Sequence, residues 1–195
     1  MLGSGYTAKN PSRVKKLVLA EPGMLNNAKA KEYMKKFKVE FSFNMLRYAT
    51  TIAFESLHLK NDDKQAALDY IFGRITGLDV KENPMRKYFC NEDMKTAHLP
   101  SWRIGATASM EIMQKGMDKD GNIIIDLVSG IENYKDKVLF LVGECNQIIG
   151  EDFQKGHVKL FPNAEMKVIK DAGHTMLGEK PKESMRIIRE YFKEE

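Results

Sequence analysis

Apolar residues along the chain follow two rhythms. Short apolar stretches read as strands: Leu17, Val18 and Leu19 within residues 14–20, Met166, Val168 and Ile169 within 165–170, and the almost continuous run Val138 to Val142 within 137–142. Runs of this kind suit parallel strands covered on both faces. Asn10-Pro11 ends a helical pattern over residues 2–9, because the residue before proline is pushed out of the α region. Glu21, Pro22 and Gly23 stop the first strand. Apolar positions at helical spacing predict helices at about 151–160, with Phe153, His157 and Leu160 on one side, and at about 181–193, with Met185, Ile188, Tyr191 and Phe192. Helix, strand, long gap, strand, helix, strand, helix is the grammar of an α/β protein with a parallel sheet.

The gap, residues 24–134, is helical in pattern. Tyr33, Met34, Phe37, Phe41 and Met45 recur at helical spacing, and Tyr48 to Leu59 and Asp63 to Ile75 are further amphipathic candidates. Eight of the twelve methionines fall here (Met24, Met34, Met45, Met85, Met94, Met110, Met113 and Met117). Methionine fills irregular core gaps, and it also repacks around apolar ligands. Asp120-Gly121 marks a tight turn into a short strand or helix start at Asn122 to Ile125.

Composition narrows the function classes. The 195 residues, 43% hydrophobic and 30% charged, are those of a globular chain able to bury a core. The net charge of +4 hides an asymmetry: residues 1–50 hold ten Lys or Arg against three acids. Those lysines read as the wet face of helices whose aromatics are buried, so nucleic-acid binding is not expected. No apolar run reaches the roughly 18 residues of a membrane span, and the first residues lack the pattern of a signal peptide. Cys90 and Cys145 make no disulfide framework and suit a reducing compartment, so the expected location is cytoplasmic.

Several motifs are weak. Gly3-Ser4-Gly5 fits the letters of a dinucleotide fingerprint, but no strand feeds the turn. Asp118 to Asn122 has its glycine too early for a calcium loop. His58, His98, His157, His174 and the cysteines show no paired metal-ligand spacing. His174 stands apart, just past a strand in Asp-Ala-Gly-His, where loops of parallel sheets place catalytic groups. Glu144, after the preceding strand, is a carboxylate placed to orient an imidazole on the neighbouring loop.

These segments together resemble the α/β-hydrolase family. Residues 6–23, Tyr6 to Gly23, look like the helix and strand that follow the nucleophile elbow. Residues 137–144 resemble the next strand and acid loop. Residues 161–174, with Glu179-Lys180-Pro181 after them, resemble the last strand, the histidine loop and the final helix. The tone is closest to the proline iminopeptidase branch. The resemblance implies the C-terminal part of an α/β-hydrolase core at 1–23 and 135–195, holding the last three strands, with a helical lid at 24–134. It further implies a serine hydrolase acting on small amide, ester or peptide substrates, with His174 as general base and no metal or organic cofactor.

Two departures matter. No G-x-S-x-G occurs in this chain, so the nucleophile is absent from it and the chain alone is expected to be inactive. Family members commonly have Asp where Asn146 stands, and asparagine cannot balance an imidazolium. Glu144 is the first choice for the acid, Glu21 the second and Asp152 the third. Asn146 also motivates the alternative, a non-catalytic binding protein on the same fold. The strand at 17–20 would lack a partner on one side, which predicts self-association edge to edge or by exchange of lid helices.

Overall fold

The three apolar runs pair as parallel strands in a computed structural model that describes residues 1–37, 42–59, 64–75, 83–90, 105–120 and 122–193. They are β1 (Leu17–Ala20), β2 (Val138–Gly143) and β3 (Ala164–Ile169), in the order β1-β2-β3. Leu17 stands opposite Val138, and Val138 opposite Ala164. Every residue of β2 is buried, as its unbroken apolar run requires.

Alternate residues of β2 feed two cores, because successive side chains of a strand point to opposite faces. Val138 and Phe140 pack with Leu17, Leu19, Leu25, Tyr134 and Phe161, together with Ala8 of helix α1 (Leu2–Lys9). Leu139 and Leu141 pack with Ile169, Met176 and Tyr191. The first face is also covered by α6 (Glu151–Val158), and the second by α7 (Met176–Glu179) and α8 (Pro181–Lys193). Tyr191 rivets α8 to the sheet. Its hydroxyl accepts from the Leu17 amide at 3.2 Å and donates to the Lys137 carbonyl, bridging the starts of β1 and β2.

The remaining helices are α2 (Asn27–Lys36), α3 (Phe43–Ser56), α4 (Lys64–Ile75) and α5 (Ala106–Lys115). The apolar spacing from Tyr33 to Met45 does not form one helix. Asn26 caps α2 through the Lys29 amide, the helix stops at Phe37, and Ser42 caps α3 through the Met45 amide. Side-chain caps of this type set helix starts more firmly than apolar spacing does. Phe41, Met94 and His98 lie outside the described residues.

Two compact units divide the chain. The first comprises Met1–Phe37, Lys87–Asn91 and Ile124–Glu195, and the second Lys38–Arg86 and Glu92–Ile123. The core unit thus extends past the expected boundaries at 23 and 135. Leu25, Ile131 and Tyr134 are each at most 3% exposed in its core, and Lys29 donates to the Phe153 carbonyl at 3.0 Å. In the second unit, Asp69 accepts from the Ala106 amide at 2.7 Å, and Glu55 accepts from Tyr70 and Arg74.

The expectation for the cysteines is corrected. Cys90 and Cys145 are joined as a disulfide with their Cα atoms 5.1 Å apart, across 55 residues of sequence. Proximity over that separation is set by the fold and leaves no mark in the spacing of two cysteines.

Candidate active site

Three loops leave the C-terminal ends of the strands together, the position where parallel α/β sheets hold their functional groups. Glu21 follows β1, Gly143 to Asn146 end and follow β2, and Asp171 to His174 follow β3. The β1–β2 register places Ala20 opposite Leu141, and the Glu21 amide extends that ladder by donating to the Leu141 carbonyl at 2.9 Å. Glu21 thereby lands beside Gly143. Its φ is +38°, in the left-handed region that costs a non-glycine residue about 1–3 kcal/mol. A conformation of this kind persists where surrounding bonds over-determine it, and three donors converge on this carboxylate.

The Gly143 amide donates to Glu21 Oε1 at 2.7 Å, and Asn146 Nδ2 donates to Oε2 at 2.6 Å. His174 Nδ1 lies 2.9 Å from the same Oε2. The Glu21 side chain is 0% exposed, whereas that of His174 is 41% exposed. A carboxylate only accepts, so Nδ1 carries the hydrogen, and the Nε2 of a neutral ring is left as an acceptor. The arrangement is a buried acid orienting a solvent-facing base.

Asn146 is held at both ends. Its Oδ1 accepts from the Ile148 and Ile149 amides at 2.9 and 3.0 Å, which fixes its Nδ2 toward Glu21. The asparagine at the place of a family aspartate is therefore a donor to the acid.

The structure does not bring Glu144 to His174. The Glu144 carboxylate instead accepts from the Asp171 amide at 3.1 Å, bracing the turn after β3. Successive residues leaving a strand face opposite ways, and Gly143 has already taken the inward position. Asp152 is 88% exposed on its side chain and pairs with Lys155. Of the three carboxylates, Glu21 meets the imidazole. The sequence carried a signal for it: a lone acid at the end of an apolar strand, immediately before Pro-Gly, with asparagine at the alternative position.

Ser4 is not presented as a nucleophile. It is fully buried within α1, and its Oγ donates to the Met1 carbonyl at 2.6 Å. Tyr88 packs against the base, its ring centroid 5.3 Å from that of His174, and its hydroxyl donates to Tyr33 at 3.1 Å. Burial and then the Tyr33 hydrogen bond push the Tyr88 phenol well above its ordinary value, so it stays neutral. Sequence reasoning missed Tyr88, because nothing local links residue 88 to residue 174.

Solved structures with a similar fold are α/β-hydrolases. The proline iminopeptidase of Mycobacterium smegmatis matches with a TM-score of 0.54 and 12% identity, over 97% of this chain and 60% of that one. A bromoperoxidase from Bacillus anthracis matches at 0.53 and 16%, over 99% and 65%. MGS-M2, an α/β hydrolase enzyme from a deep-sea metagenome library, matches at 0.50 and 15%, over 100% and 63%. No protein-family model matches the sequence, and no curated protein matches it either. The fold is that of an α/β-hydrolase in part, and the chain spans about 60% of the length of the first of these proteins. Among the described residues, no helix is long and apolar enough to cross a membrane.

Proposed function

We propose that this chain carries the base and acid of a serine hydrolase, with His174 as general base and Glu21 as its orienting carboxylate. The observation that carries the reading is the 2.9 Å contact between His174 Nδ1 and the buried Glu21 Oε2 at the ends of parallel strands. In this role Nε2 takes the proton of a serine hydroxyl, and Glu21 stabilises the imidazolium that results. The substrates are small amides, esters or peptides, as in the proline iminopeptidase branch, and residues 38–86 and 92–123 serve as the lid. A cytoplasmic setting and self-association along the outer edge of β1 belong to the same proposal. Leu2 and Tyr6 on α1, beside β1, are 86% and 49% exposed, which favours association.

The chain alone is expected to be inactive, since acyl transfer needs a nucleophile. The test extends the reading frame upstream of Met1 and assays the longer protein with a fluorophosphonate probe and chromogenic ester and prolyl-amide substrates. A G-x-S-x-G in the extension, activity, and loss of several orders of magnitude in both His174→Ala and Glu21→Gln are expected, with Glu144→Gln close to wild type. Activity indifferent to His174→Ala would remove the base from the mechanism. An elbow without serine would favour the non-catalytic binding protein, although Asn146 no longer argues for it.

A further inference from the structure

The Cys90–Cys145 disulfide lies against the candidate site. Residues 87–90 cross the loops that hold both members of the acid–base pair, and they are tied to each loop separately. On the acid side, the Gln147 amide donates to the Lys87 carbonyl at 2.9 Å, and Cys145 is the direct neighbour of Asn146. On the base side, the His174 amide donates to the Tyr88 carbonyl at 2.6 Å. Glu179 joins the two: its Oε1 accepts from the Gly173 amide and Thr175 Oγ1, and its Oε2 accepts from the Cys90 amide at 3.3 Å. The fit is close, since a Cβ on Gly173 would lie 2.1 Å from the Tyr88 carbonyl oxygen. Both cysteines are only half-buried.

We propose that Cys90 and Cys145 form a reversible redox site whose reactant is a dithiol, and that its state sets how firmly residues 87–90 hold the Glu21–His174 pair. This rests on the reading of that pair given above. One thiolate of the reductant attacks a sulfur of the bond, which breaks as a mixed disulfide forms. The second thiolate then displaces the remaining protein sulfur. Two electrons and two protons end on Cys90 and Cys145, and the reductant leaves as its own disulfide. Disulfides between partly exposed residues are the labile and regulatory ones, which suits a bond set beside the candidate catalytic loops. With the bond open, the strap retains Tyr88 and Phe89 as buried anchors and its hydrogen bonds, but it is no longer covalently closed onto the β2 loop. The loop after β2, which donates to the acid, and the loop of the base then open more often.

The experiment uses the chain as it is and needs no nucleophile, so it stands or fails separately from the hydrolase assay. Free thiols are counted in the air-oxidised chain and again after dithiothreitol, and amide hydrogen exchange is followed by NMR in both states. No free thiols and then two are expected, with exchange at least about tenfold faster after reduction at the amides of His174, Gln147 and Cys90. The Glu21 amide, bonded to the Leu141 carbonyl within the sheet, is expected to stay within about twofold. Cys90→Ser and Cys145→Ser should behave as the reduced chain with or without dithiothreitol. If either fails to fold, the reduced wild type supplies the readout. Two free thiols that oxidised glutathione does not close would overturn the proposal. So would complete reduction with unchanged exchange at all three amides, or an equal rise at Glu21.

Discussion

Gly143→Ala tests how tightly the loops after β2 and β3 are packed around the candidate pair. A Cβ built on Gly143 lies 2.2 Å from the Gly173 carbonyl oxygen and 2.6 Å from that of Ala172, both backbone atoms. An unstrained contact of this kind is no closer than about 3.2 Å, so the loop carrying His174 has to retreat by roughly 1 Å. Applied along the contact, that retreat stretches the 2.9 Å separation of His174 Nδ1 and Glu21 Oε2 to about 3.9 Å, beyond hydrogen-bond reach. Overpacking costs about 1–3 kcal/mol, and the upper end applies because no flexible side chain can yield. For a chain of this length, about 3 kcal/mol is a fall in Tm of roughly 6–12 °C. Gly178→Ala is the matched control. Its built Cβ has no atom within 4 Å, and helical α7 gains about 0.5–1 kcal/mol from the exchange. Thermal melts followed by circular dichroism compare the two variants, and nitrogen-15 NMR of the His174 ring reports whether Nδ1–H stays bonded. A Gly143→Ala chain that melts with wild type and keeps its Nδ1–H signal would refute the close approach on which the site geometry depends.

Other consequences are open to direct measurement. Tyr191→Phe leaves the Leu17 amide and the Lys137 carbonyl without their bridge, an expected loss of about 1–3 kcal/mol in urea unfolding; an unchanged midpoint would show that water replaces the hydroxyl. His157 is fully buried on α6, and burial, then the charge of Lys29, bring its imidazole down from 6.5 to about 3. The unfolded chain takes up this proton and the native one does not, so stability should fall below about pH 6.5 by about 1.4 kcal/mol per pH unit. His157→Gln should flatten that slope between pH 6.5 and 5, and the same slope in the variant would exclude His157 as its source. Light scattering at micromolar concentration should find a dimer or larger species. A clean monomer with a cooperative melt would rule out an open β1 edge.

What the sequence determined by itself is what local chemistry can encode. Apolar stretches placed all three strands within a few residues, most plainly β2, whose unbroken run reflects a strand covered on both faces with no polar position to spare. A histidine just past the last run marked the imidazole that meets a carboxylate at the strand ends, since strand ends of parallel sheets are where such loops converge. Which carboxylate meets His174 was decided only by tertiary structure. Glu144 and Glu21 both end strands, but the β1–β2 register sets Glu21 beside Gly143, and the inward position of Gly143 turns Glu144 outward. The two cysteines met for the same kind of reason: residue 90 returns to the core unit between two segments of the other unit. Spacing along a chain reports periodicity within an element. Contacts across 55 or 153 residues, such as Cys90–Cys145 and Glu21–His174, depend on how whole elements pack, and no local pattern records that.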